Sequence, residues 1–407
     1  MNLQSIVSLS TVRTARSLIH SRDAETLDEQ IRLVAIPAPT GCEGKRGEYL
    51  QQRFLELGLR EVGVDEVGNV LGTLPENNSS SAGDARPVLL GAHLDTIFPP
   101  ETEIRVRRDG KRVFAPGITD NARGLAAMLA VAAVLREVGI RTERPLSFVA
   151  TVGEEGLGDL RGVKHLFRPE SRFAAAEAFI SLDGAGLTRI VNRAIGATRI
   201  RATILGSGGH SWGDRGMPNP AHALGLAIAA LREMGQRVSA TSTVTVGRLG
   251  GGTSVNSIPS EAWMEVDLRS DDPPRLRGLE GEARKIIERA VRTEADTRTR
   301  SGPLKLTLEP IGNRPCGETP AASSLVEAST AATRIVGAVP ELTASSTDAN
   351  VAMSLGIPAV TIGAGGRAGG VHTVEEWFDN TGGAQGIERA LLTVLAAAGV
   401  RRARQEG

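Results

Sequence analysis

Pro87-Val88-Leu89-Leu90-Gly91-Ala92-His93-Leu94-Asp95-Thr96 opens with six residues of unbroken apolar or small character and closes on a histidine and an aspartate two positions apart. A run of this kind reads as a strand buried on both faces, the character of a parallel sheet covered by helices. Pro145 to Val152 (PLSFVATV), Ala178 to Leu182 (AFISL) and Pro358 to Gly363 (PAVTIG) share it. Between the first two runs, Leu125, Met128, Leu129, Ala132 and Leu135 recur at helical spacing over Asn121 to Gly139, and Gly139 supplies a stop. The rhythm is βαβ, so the fold class is α/β with a mostly parallel sheet.

Outward from this core the pattern changes. Strand Thr198 to Leu205, helix Pro220 to Met234, strands Thr243 to Leu249 and Ala262 to Leu268, helix Pro273 to Ala295 and strand Leu304 to Leu308 follow in the order β-α-β-β-α-β, the split βαβ (ferredoxin-like) arrangement. Asp272 can cap its second helix, Pro273 fits the first turn, and Leu276, Leu279, Ala283, Ile286, Ile287, Ala290 and Val291 make one apolar stripe. The α/β pattern resumes after Arg314-Pro315, with a helix over 321–335 and another near 384–398. A discontinuous catalytic domain, 1–195 with 313–407, therefore carries an inserted α+β domain at 196–312. Asn77 to Gly83 (NNSSSAG) reads as a polar loop.

A chain of 407 residues with 41% hydrophobic content fits about two domains. Lys+Arg and Asp+Glu both number 47, so no charge excess draws the chain to nucleic acid or an anionic membrane. Two cysteines, Cys42 and Cys316, are too few for a disulfide framework. Ile6 to Ile19 is interrupted by Arg13 and Arg16, unlike a signal peptide, and no segment approaches the roughly 20 apolar residues that span a bilayer. The expectation is a soluble cytoplasmic protein with small-molecule partners.

His93, Asp120, Glu155, Asp183 and His372 each follow a short run that reads as a strand and sit in loops or turns there. Taken singly, each has an ordinary explanation. His93 could stand in a surface turn, Asp120 could cap the next helix, Glu154-Glu155 could be a solvated acidic turn, and Asp183-Gly184 could be a plain Asp-Gly turn. Jointly they are specific, because open α/β sheets bind ligands at the carboxyl ends of their strands. Two histidines and three carboxylates suit a pair of zinc ions roughly 3.5–4 Å apart that share one carboxylate. Asp95, two residues after His93, is placed to hold the imidazole's second nitrogen or to make a close variant of that contact. Three carboxylates and one hydroxide neutralise two divalent ions, which leaves Glu154 without a ligand role and able to act as general base.

GAHLDTIFP, GITDNARG, TVGEEGLGDLRG, SLDG and GGVHTVEE together resemble the M20 family of metallopeptidases, the aminoacylase or carboxypeptidase G2-like family, over nearly the whole chain. The resemblance implies a zinc-peptidase-like three-layer catalytic domain with a lid and dimerisation domain inserted into it. It implies His93 and Asp183 on one zinc, Glu155 and His372 on the other, Asp120 bridging, Asp95 behind His93 and Glu154 as base; the residues leave open whether cobalt or manganese takes the place of zinc. It also implies a non-proline cis bond between Asp120 and Asn121. His210 matches a histidine that reaches the partner subunit's site to stabilise the oxyanion. Asn256 and Arg269 match substrate-binding positions, with a surface ion pair as the competing reading for Arg269. Gly365 and Gly366 match a loop whose N–H groups approach substrate. GHSWGD followed by PNP is most similar to the peptidase T-like members, which cleave short peptides. An N-acyl amino acid deacylase of the acetylornithine deacetylase type would use the same site, and a homodimer is implied. A catalytically silent binding protein would have lost a ligand or the base, and none is missing here.

Overall fold

The computed structural model describes residues 3–75 and 85–401; the polar stretch Asn77 to Gly83 lies outside them. The chain forms two compact units, Met1–Ala194 with Glu318–Gly407, and Ile195–Gly317.

In the larger unit the sheet order begins Arg60–Val64, Val70–Thr73, Leu146–Thr151, Val88–His93, Ala178–Leu182, Ala359–Ile362, Arg189–Ala194. The four central strands, from Leu146–Thr151 to Ala359–Ile362, pair in parallel. Their burial is complete because alternate side chains enter two different cores. Val88, Leu90, Phe148, Ile180 and Val360 meet the helices Ala122–Val138 and Gly383–Ala398 on one face. Leu89, Val149, Phe179 and Ala359 meet Arg161–Leu166 and Ala349–Ser354 on the other. The continuous apolar runs are thus two interleaved faces, each covered by a helical layer.

The parallel register aligns the strand ends that carry chemistry. His93 pairs with Thr151, and the amide of Asp183 donates to the Ile362 carbonyl at 3.1 Å. His93, the Thr151–Glu155 turn, Asp183 and the loop after Ile362 therefore emerge along one edge. Asp120 and His372 arrive by a different route from the one the apolar runs suggested. A separate antiparallel sheet, Arg107–Asp109, Arg112–Phe114, Trp377–Asp379 and Arg367–Gly369, feeds the turns that carry them. These short strands are partly exposed and charged, so they carry no long apolar run.

The smaller unit is a four-stranded antiparallel sheet, ordered Ser242–Gly251, Glu261–Ser270, Gly196–Gly206, Leu304–Arg314, with helices Pro220–Arg237 and Pro273–Asp296 on one face. The expected stripe from Leu276 to Val291 packs on Ile200, Ala202, Met264, Val266 and Leu268. Asp272 accepts the Arg275 amide at 2.7 Å as its cap. The last strand continues to Arg314 rather than stopping at Leu308, because a register shift between Pro310 and Gly312 lets this edge strand absorb a proline and go on pairing as far as Ala197. That continuation moves the unit boundary from 312 to 317.

Candidate active site

His93 is 2% exposed, and its ring joins two environments. Nδ1 lies 3.1 Å from the backbone carbonyl of Asp95, which can only accept, so Nδ1 carries a proton. Nε2 then faces carboxylates: Asp120 Oδ1 at 3.0 Å and Asp183 Oδ1 at 3.9 Å. Across the cluster, His372 Nε2 lies 3.1 Å from both Asp120 Oδ2 and Glu155 Oε1. The five side chains thus form one chain of contacts, with Asp120 in the middle turning one oxygen toward each histidine.

Asp120 Oδ1 is buried and makes no hydrogen bond despite that 3.0 Å approach. Contact distance without donor alignment is how two ligands of one cation stand, and a neutral imidazole would otherwise aim a lone pair at a carboxylate. Ligand atoms of His93, Asp120 and Glu155 all lie within 4.8 Å of one another. The donor set of imidazoles and carboxylates therefore fits divalent metal. The electrostatics agree. Burial would lower the His93 pKa, yet Asp120, Asp183 and Asp95 hold it well above the usual value. Burial would raise Asp120, yet His372 and His93 hold it well below the carboxylate range. Contacts with Asp120 and Glu155 lift His372 to about 10, and burial pushes Glu155 up. The site draws positive charge.

Each ligand is presented by a turn with its own supports. Asp95 makes the close variant of the expected contact: its carboxylate stands 3.6 Å from His93 Nδ1, while its carbonyl is nearer. The carboxylate instead accepts the amides of Glu154 and Glu155, both at 2.9 Å, and the Thr40 hydroxyl at 2.8 Å. Asp95 thereby fixes the Glu154-Glu155 backbone. Asp120 is not the helix cap; Asn121 is, accepting the Gly124 amide at 3.0 Å and donating to the Leu182 carbonyl at 2.8 Å. The Asp120–Asn121 peptide is cis.

Several supporting residues escaped the sequence reading. Glu43 accepts the Gly153 amide at 3.1 Å and pairs with Arg161 at 2.8 Å, which holds the turn before Glu154. Buried Asp348 accepts the Thr151 hydroxyl beside His93. Burial raises its pKa to about 6, and Asp95 and Asp183 add to the shift. Glu376 accepts three amides of the turn that presents Asp120. An acidic residue four positions after a metal-type histidine was the only sequence signal, and for Glu43 and Asp348 there was none.

The remaining candidates have contacts of their own. In the smaller unit, exposed His210 pairs with Ser257, and Ser211 donates to the Asn256 carbonyl at 3.0 Å, so His210 and Asn256 share one loop cluster. His210 Nδ1 accepts the amides of Trp212 and Gly213, which leaves its proton on Nε2. Arg269 stands at the far end of Glu261–Ser270, about 26 Å along the strand from Glu261, and binds Asp267 at 2.6 Å, the ion pair that was its competing reading. Gly365 donates its N–H to the Gly186 carbonyl, and a Cβ on Gly366 would lie 2.2 Å from the Phe378 ring, so both glycines serve packing here. His20, His165 and His222 lie within 4 Å of Glu388, Glu66 and Glu294 respectively and stand outside the cluster.

Comparison with known proteins follows the same lines. The model of peptidase family M20/M25/M40 matches residues 89–396. A putative LysW-lysine/LysW-ornithine hydrolase of Aeropyrum pernix is 28% identical over 242 residues, 59% of this chain and 62% of its own length. Matches to the curated relatives span about half to two thirds of those proteins. The fold is that of the aminopeptidase PepT of Bacillus cereus (TM-score 0.71, 24% identity, 92% of this chain and 99% of that one). It is also that of a dinuclear metal-binding M20 peptidase of Bacillus subtilis (TM-score 0.66, 15% identity, 93% and 98%). With the family match running across both units, the chain belongs to peptidase family M20/M25/M40.

Proposed function

We propose that this chain is a two-zinc hydrolase that cleaves an amide bond of short peptides. The observation that carries the reading is the Asp120 carboxylate, which turns one oxygen to His93 and the other to His372. His93 and Asp183 would hold one ion, Glu155 and His372 the other, with Asp120 between them. Bound there, zinc, or cobalt or manganese in its place, supplies Lewis acidity toward an amide carbonyl and makes water a stronger acid.

Glu154 follows the Gly153 turn with its amide fixed by Asp95, so its carboxyl starts beside the ligand set. It takes the proton of the attacking water and passes it to the departing amine. His210, with its Nε2 proton facing outward, is the proposed oxyanion donor, contributed by a second copy of the chain in a homodimer built through the smaller unit. Asn256, beside His210, is the better supported of the substrate contacts, since Arg269 is engaged by Asp267. Cytoplasmic placement rests on the two unpaired cysteines, and no described helix is long and apolar enough to cross a membrane.

Zinc-loaded protein is expected to release amino acids from dipeptides and tripeptides, and Glu154→Ala to lower kcat about 10²- to 10⁴-fold while metal content is unchanged. Turnover restricted to N-acetyl amino acids would convert the reading to a deacylase. Background rates with every substrate on fully loaded protein would sink it.

A further inference from the structure

Glu376 is fully buried and lies four residues after His372. Its two carboxylate oxygens point away from the histidine's own loop and into the turn before the helix Ala122–Val138. Oε2 accepts the Gly117 amide at 3.0 Å; Oε1 accepts the amides of Thr119 at 2.7 Å and Asp120 at 3.0 Å. The Glu376 carbonyl accepts the Ala115 amide at 3.0 Å, and the next residue, Trp377, pairs with Phe114. One side chain therefore closes around three of the four residues that lead to Asp120, while its backbone is anchored to the strand before them.

Gln30 donates to the Ile118 carbonyl at 2.7 Å and Ile118 to that of Ala115 at 3.1 Å, but the amides of Gly117, Thr119 and Asp120 are held by Glu376. Gly117 has φ +80°, and 117–120 form a turn that belongs to no helix or strand and makes no ladder bonds of its own. A buried carboxylate that accepts three amides supplies what regular structure would otherwise give. Together with the His372–Asp120 contact and the Thr119 hydroxyl on the Trp377 carbonyl, it joins the segment that carries His372 to the Asp120 turn.

We propose that Glu376 is the positioning residue that sets the spacing between Asp120 and His372, and so determines how tightly the metal pair is held. This rests on the two-metal reading above. Partners of metal ligands that hold them in place are commonly worth 10- to 100-fold in affinity, and Glu376 acts on the one carboxylate that faces both histidines. Glu376→Gln keeps an oxygen for Thr119 and Asp120 but turns an amide NH₂ toward the Gly117 N–H, so two donors oppose each other. Glu376→Ala removes all three bonds.

The test measures zinc affinity of metal-stripped protein by competition with a chromophoric chelator, together with kcat, KM and thermal unfolding with and without zinc. Glu376→Gln is expected to bind zinc 10- to 100-fold more weakly, with kcat at subsaturating zinc reduced, KM nearly unchanged and kcat largely restored by excess zinc; Glu376→Ala is expected to lose more. Wild-type affinity in Glu376→Gln overturns the proposal, and so does unfolding that zinc does not reverse. Wild-type protein that binds no zinc defeats the two-metal reading itself, which separates the two failures.

Discussion

Among single residues, Asp120 and His372 carry the sharpest electrostatic signature. In the metal-free protein, contacts with Asp120 and Glu155 raise the His372 pKa from 6.5 to about 10. A folded value above the unfolded one means a contribution to stability that is complete below about 6.5 and lost as pH rises through about 10. Metal-stripped protein is expected to show a falling urea midpoint across that window, while zinc, which competes with the same proton, binds more tightly as pH rises through it. A midpoint that climbs between pH 7 and 9.5 would contradict this assignment. Residue identity was legible here: the five metal-type side chains stood out because each interrupts an apolar or glycine-rich run. Glu376, Glu43 and Asp348 did not, because their partners, three backbone amides for Glu376, the Gly153 amide and Arg161 for Glu43 and the Thr151 hydroxyl for Asp348, lie 110 to 259 positions away.

For the elements, the decisive features are caps and loop anchors at the sheet's carboxyl edge. Asn121 is buried, caps the helix through Gly124 and reaches the Leu182 carbonyl one residue before Asp183. Asn121→Ala is expected to cost about 2 kcal/mol, combining a lost cap with an unpaired buried carbonyl, read as a shift in the denaturation midpoint. A change within 0.5 kcal/mol, the range of a neutral surface substitution, would show that solvent replaces both bonds. Buried arginines act similarly over longer spans: Arg46 donates to the Leu94 carbonyl at 2.7 Å and Arg123 to those of Ala364 and Gly383, both at 2.8 Å. Burial lowers each of these two guanidinium pKa values to about 10. Helices and central strands were readable from period alone, since the 3.6 and continuous apolar patterns survive burial. The small sheet that delivers Asp120 and His372 was not, since strands of three residues hold no period.

For the whole molecule, metal is expected to act as a stabilising ligand of the folded state. Zinc at about 100 times its dissociation constant should add about 2.7 kcal/mol, seen as a concentration-dependent rise in Tm that Asp120→Asn abolishes. A Tm that does not respond to zinc, or a response undiminished in Asp120→Asn, would remove the metal from the site. The sequence by itself determined the α/β class, the β-α-β-β-α-β insertion and the identity of the five metal-type residues, because hydrophobic period and side-chain chemistry are local properties. Only the tertiary structure decided that Asn121, not Asp120, caps the helix, that Asp95 grips the Glu154-Glu155 backbone, and that Glu376 ties the Asp120 turn to the His372 loop. Those are hydrogen bonds to backbone amides up to 259 positions away, and which amide a buried carboxylate meets is set by packing that no local pattern encodes.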